Sequence, residues 1–231
     1  MCMLRNGEQL ILAIVLPLLA LVGLVVTPLL DDLTSADISR VDIAAPGVLA
    51  LCAMSTAFTG QGIATGFDRR YGVLRFLSTT PLGRTGLIAG KAVAVAAVLG
   101  LQVVVIGTVA AFMGWSPALQ GIPAALLLLA LGAAAFTALG LLVAGTVRPE
   151  ATLAITNLLW ILLAAGGGIV IPPEALPDQL AAVVQLLPSG ALGEALRSAL
   201  LQGQFNLTAF LVLAGWTVIS GAAAVRWFKW S

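Results

Sequence analysis

Charged residues divide the chain into long apolar stretches, and those stretches set the first expectation. Residues 10–30, 43–67, 92–113, 122–147, 151–171 and 207–225 contain no Asp, Glu, Lys, Arg or His. Each can form one membrane-crossing helix, which needs about 20 mostly apolar residues. The stretch between Lys91 and Arg148 is uncharged for 56 residues. It is expected to fold as an antiparallel helix pair, because Gly114-Trp115-Ser116-Pro117 and Gly121-Ile122-Pro123 are turn signals near its middle. A signal peptide is the competing reading of the first run, but its apolar region would be about 7–15 residues. The pattern therefore predicts an all-α integral membrane protein, a single transmembrane domain over residues 1–231. It has six spanning helices at about 10–30, 43–67, 92–113, 122–147, 151–171 and 207–225. A polar segment, 67–91, joins the second and third spans, and a mixed segment, 172–206, joins the fifth and sixth.

Composition narrows the class further. The chain is 60% hydrophobic and 9% charged, with mean hydropathy +1.09. Soluble domains carry about 25% charged residues, so a water-soluble globule is excluded. Barrel strands would read as short alternating segments, not as continuous Leu, Ala and Val runs. There is no histidine, and Cys2 and Cys52 have neither metal-ligand spacing nor a plausible disulfide pairing. No metal site is expected.

Net charge is +1, so the information lies in where the charges fall. Arg5, Arg69, Arg70, Arg75, Arg84, Lys91, Arg148, Arg226 and Lys229 lie on one side of the six-span topology, against Arg40 and Arg197 on the other. Seven of the ten acidic residues share that second side. Basic residues favour the cytoplasmic face. The expectation is a multi-pass protein of the plasma (inner) membrane with both termini and segment 67–91 in the cytoplasm. Arg226-Trp227-Phe228-Lys229-Trp230 closes the chain as an interfacial anchor.

Missing chemistry excludes several functions. Proton-driven pumps need titratable relays within the membrane, and none of the six runs holds one. Paired broken helices of the secondary-transporter kind are also absent. No G-x-x-x-x-G-K-[ST] phosphate loop occurs. Glu174 and Asp178 are the one tidy carboxylate pair, and on a polar loop they read as a solvated face. No catalytic residue is expected, and any energy for uphill movement must come from another subunit.

Segment 67–91 holds five of the eleven basic residues. Asp68, Arg69 and Arg70 are expected to open a helix, with Val73, Leu74, Phe76 and Leu77 following at helical spacing. Pro81 ends it, since the residue before a proline avoids the α region. One reading is an interfacial helix on anionic headgroups, worth about 1 kcal/mol per basic residue. The other is a docking helix whose apolar and basic face fits a groove on a soluble partner.

At this point the chain resembles the type-2 ABC transporter permeases, including those of the daunorubicin-resistance kind. Their loop between spans two and three reads acidic-Arg-x-x-Gly-x-Leu-x-x-Leu-x-x-x-Pro, with Gly-Lys before span three. Asp68, Arg69, Gly72, Leu74, Leu77, Pro81, Gly90 and Lys91 match it. The family's external stretch is similar to residues 172–204, with Leu176-Pro177, Leu187-Pro188, Glu194-Ala195-Leu196-Arg197 and Gly203. The resemblance implies a permease subunit of an ATP-driven exporter, paired with an identical or related permease. It would dock a separate ATP-binding subunit through Asp68, Arg69, Arg70, Gly72, Val73, Leu74, Phe76, Leu77 and Pro81. ATP and magnesium would sit on that partner, with no cofactor on this chain and no nucleic acid involved. Family members begin with an amphipathic helix along the membrane. Nine residues precede the first run here, so this elbow is expected to be missing or the start truncated.

Three further groups are candidates. Thr152, Thr156, Asn157 and Trp160 form a polar stripe on the fifth span, and Thr56, Thr59 and Gln61 lie on the second. They are read either as interhelical packing or as a substrate path. Pro177, Pro188, Glu194 and Arg197 mark two amphipathic helices hinged at Pro188, read as an external re-entrant gate or as a static surface cap. An uncharged path favours hydrophobic or amphipathic cargo, such as drugs or lipids. A non-transporting or channel-like assembly protein is the alternative from another class, and a lipid-acting membrane enzyme is a weaker third.

Overall fold

A computed structural model describes residues 7–34, 38–73, 83–169 and 177–227. Among these residues the fold is all helical, without β-strands. Helix α1 spans Gly7–Val26 and is followed by a 3-10 turn at Pro28–Leu33. Helix α2, Arg40–Met54, passes through a π-helical turn at Ser55–Gly60 into α3, Gln61–Arg70. Then come α4, Gly83–Phe112, and α5, Ile122–Thr146, joined by a short link that contains the 3-10 turn Leu119–Gly121. Helices α6, Pro149–Gly166, α7, Asp178–Leu186, α8, Pro188–Gln202, and α9, Leu207–Trp227, complete the chain.

Among the described residues, five helical stretches are long and apolar enough to cross a membrane: Arg40–Arg70, Ala89–Phe112, Leu119–Thr146, Pro149–Gly166 and Leu207–Trp227. The apolar part of α1, Ala13–Val26, is shorter. The helix boundaries follow local chemistry. Ser39 caps α2 by accepting from the Asp42 N–H while Asp42 accepts from the Ser39 N–H, the reciprocal capping box. Pro149 and Pro188 stand in the first turns of α6 and α8, where a missing N–H costs nothing.

The long α2–α3 helix is the axis of the bundle. Val41, Ala44, Ala45, Val48, Ala53, Met54, Ala57 and Phe58 are buried, and α1, α4, α5, α6 and α8 pack around it. By contrast, α1, α6 and α9 show broad apolar faces outward, including Leu16, Leu19, Leu158, Ile161, Leu162, Val218 and Ile219. In water such faces would be costly at about 25 cal/mol per Å². In a bilayer they are the expected lining.

Two expectations change here. Asp68, Arg69 and Arg70 do not open a separate helix; they form the last turn of α3, which stops at Tyr71. Gly72 then takes a positive φ of 69°, the conformation that ends helices and that glycine adopts without a Cβ clash. The helix dipole therefore favours Arg69 and Arg70 rather than Asp68. Secondly, α8 is not a surface cap. From Pro188 to Leu200 it is buried save for Glu194, wedged among α2, α5 and α9. Leu192 lies where a methyl on Gly132 of α5 would meet its Cδ1 at 2.7 Å, so the small residue makes room for the large one.

Candidate functional site

A polar seam runs where α3 meets α6. Gly62 and Gly66 are four residues apart and share one face. A methyl at Gly66 would stand 2.8 Å from Thr152 Cγ2, and one at Gly62 would stand 3.2 Å from Thr156 Cγ2. Small residues let spanning helices approach closely, and here they bury Thr152 and Thr156 completely. Thr152 donates to the Arg148 carbonyl at 3.1 Å, while the buried Thr156 and Thr59 hydroxyls have no partner among the described residues. Trp160 Nε1 donates to Ser55 Oγ in the π-turn at 3.0 Å. Gln61 is buried beside them. Asn157 leaves the group: at 100° per residue it stands about 140° around the helix from Thr152, and it is exposed.

The seam has a member that the pattern of runs concealed. Thr56 Oγ1 donates to Gln102 Oε1 at 3.0 Å, and Gln102 Nε2 donates to the Ala13 carbonyl at 2.8 Å. Pro17 lies inside α1 and has no N–H to give the carbonyl four residues before it. That carbonyl is Ala13, so Gln102 closes the acceptor that Pro17 leaves open. The signal in the sequence is Pro17 itself.

At the basic end, the three residues that finish α3 divide their work. Arg69 donates to the carbonyls of Ala144 and Val147, the latter at 2.9 Å. These carbonyls end α5, where unpaired acceptors and the negative end of the helix dipole accumulate. Asp68 pairs with Lys91 of α4 at 3.1 Å, and Lys91 also donates to Thr65 at 3.0 Å. The base of the loop between α3 and α4 is thereby tied together, and α5 is tied to it. Arg70 is exposed, as are Phe67 and Tyr71, whose rings stack at 6.2 Å. Gly72 and Val73 are also exposed. Leu74, Phe76, Leu77 and Pro81 lie outside the described residues.

At the opposite end, Arg197 of α8 is 5% exposed. It donates to the Gly168 carbonyl at 3.1 Å, the Ile169 carbonyl at 3.2 Å and Glu194 Oε2 at 3.4 Å. Glu194 in turn accepts from Ser198 at 3.2 Å. The carbonyls lie just beyond α6, so Arg197 does for α6 what Arg69 does for α5. Arg40 repeats the arrangement on α1, donating to the Val25 carbonyl at 3.2 Å and pairing with Asp31 at 2.6 Å. Pro188 opens α8 after Leu187 has turned extended, and Pro177 precedes α7.

The sequence model of the ABC-2 type transporter family matches residues 1–201. The chain is 30% identical over 143 residues to the "Putative transport permease YvfS" of Bacillus subtilis (strain 168), a match that takes in 61% of this chain and 58% of that relative. No solved structure matches. Several long apolar helices, a tied basic loop and a family match over most of its length lead to one identification: the chain is a multi-pass membrane protein that belongs to the ABC-2 type transporter family.

Proposed function

We propose that the chain is the membrane subunit of an ATP-driven exporter of hydrophobic or amphipathic substrates, hydrolysing nothing itself. In this reading α1 is the sixth span, both termini face the cytoplasm, and the protein resides in the plasma membrane. A second permease, identical or related, completes the path. The observation that carries the reading is the junction at Arg69. Its guanidinium fastens the end of α5 to the end of α3, directly beside exposed Phe67, Arg70 and Tyr71. A soluble ATP-hydrolysing subunit (with its own ATP and magnesium) that presses on this surface would move two spans at once. The exposed basic residues support the orientation. Arg70, Arg148 and Arg226 all lie at this end, whereas Arg40 and Arg197 at the other end are engaged with carbonyls and carboxylates.

The seam of Thr56, Thr59, Gln61, Thr152, Thr156 and Trp160 fits packing better than a path, since its closest contacts are between helices of one chain. Asn157 is the member free to face cargo or a second subunit. Helices α7 and α8, with Pro177, Pro188, Glu194 and Arg197, then form a re-entrant outer element. The test is reconstitution with the ATP-binding subunit in liposomes, following ATP-dependent movement of a lipophilic fluorescent dye. The Arg70→Ala/Tyr71→Ala variant should lose both co-purification of that subunit and dye movement while inserting normally. Unchanged dye movement in that variant would sink the docking assignment.

A further inference from the structure

We propose that the cleft between α4, α5 and the end of α9 is a binding site for an anionic glycerophospholipid. The cleft has a volume of about 970 Å³. Its middle is lined by small apolar residues such as Ala96, Gly100 and Ala134, and one end by Lys91, Thr65 and Val225. Along α4 the lining runs from Lys91 to Val103, about 18 Å at 1.5 Å per residue. One leaflet of the hydrocarbon core is about 15 Å deep. The apolar trough therefore matches the depth of one acyl layer, with its polar end at the level of the headgroups.

Charge decides which lipid. Lys91 shares its ammonium between Asp68 and Thr65, which leaves one of its three donors over. Arg226 follows Val225 off the cleft wall and is exposed. With Asp68 counted against Lys91 and Arg226, the mouth is net positive by one charge. An anionic phosphate above an acyl chain satisfies both halves of the cleft. Water would fill the trough badly, because it offers too few polar partners. The inference does not depend on the direction of transport.

The experiment is native mass spectrometry of the full chain released from nanodiscs that contain equal phosphatidylglycerol and phosphatidylcholine. Retention of phosphatidylglycerol over phosphatidylcholine is expected. Lys91→Gln should lower that retention about fivefold, the factor set by one basic charge near the headgroups. Lys91→Arg should keep it, and Asp68→Asn should keep or raise it. Asp68→Asn breaks the same ion pair, so equal losses in Lys91→Gln and Asp68→Asn would mean that the pair only holds the fold, and the site would be withdrawn. Equal retention of the two lipids overturns the proposal. So does retention of phosphatidylglycerol after Ala134→Phe fills the trough, or disulfide cross-linking of two copies through Ala134→Cys, which would place a second chain there.

Discussion

Arg197 and Arg69 do the same chemistry at opposite ends of the molecule, in different settings. Each sends a guanidinium from one helix to carbonyls at or just past the C-terminal end of another. Near a membrane such carbonyls find little water, and an unsatisfied acceptor costs more than its hydrogen bond is worth. Arg197 is sealed inside, with a carboxylate of its own helix beside it, on a helix buried on nearly every side. Arg69 adjoins a surface of exposed aromatic and basic groups. The first arrangement fixes a boundary. The second joins a boundary to an exposed surface, which under the proposed function is the difference expected between a closed end and a driven one. Gln102 is a neutral version on α4, serving a single carbonyl.

The comparison predicts a graded series. Arg197→Ala should be the most damaging, lowering stability in detergent by about 3 kcal/mol, because it leaves the carbonyls of buried Gly168 and Ile169 unsatisfied beside a half-buried carboxylate. Thermal unfolding followed by tryptophan fluorescence measures it. A loss under 1 kcal/mol would mean that water reaches the site and that the two ends are alike. Arg69→Ala should cost less, about 1.5 kcal/mol for charge-assisted bonds at a partly exposed position. Its larger effect should be on ATP-dependent dye movement, with docking of the ATP-binding subunit retained. If docking is lost instead, Arg69 belongs to the contact surface rather than to the link behind it. Gln102→Leu should cost the least, about 0.6 kcal/mol, the average for a hydrogen bond between membrane helices. Its effect should shrink when Pro17→Ala restores the N–H that serves Ala13, and a double-mutant cycle would read the coupling directly. Additive effects would break the pairing of Pro17 with Gln102.

Much of the fold was legible from the runs of apolar residues, because charge is excluded from membrane helices whatever their neighbours. The long helices and the hinge before Pro188 follow from that rule and from turn chemistry. Helix α8 was not legible as buried. Ser189, Glu194, Arg197 and Ser198 read as a surface, yet Arg197 is satisfied by carbonyls of a segment far away in sequence and Ser198 by Glu194. The end of α3 was hidden for a related reason. Asp68, Arg69 and Arg70 suit either the start or the finish of a helix until the conformation of Gly72 is known. The polar stripe on α6 was half visible. Thr152, Thr156 and Trp160 converge on α3 and the π-turn, but the same spacing could not reveal that Gly62 and Gly66 receive the threonines. Gln102 stood alone in a long apolar run and carried no local signal.

The π-turn at Ser55–Gly60 gives the long α2–α3 helix a property beyond its packing. A π-turn carries one more residue than an α-turn, and one residue is about 100° of rotation. The two halves of this rod are therefore out of phase. The upper half is keyed to α1, α4 and α8, and the lower half presents Gly62 and Gly66 to α6. Tightening that turn into regular α-helix would swing the lower half like a crank while leaving the upper half in place. Among the described residues, the most buried rod thus carries a change of phase at its middle, between the half that packs on α8 and the last turn of α3, where Arg69 sits.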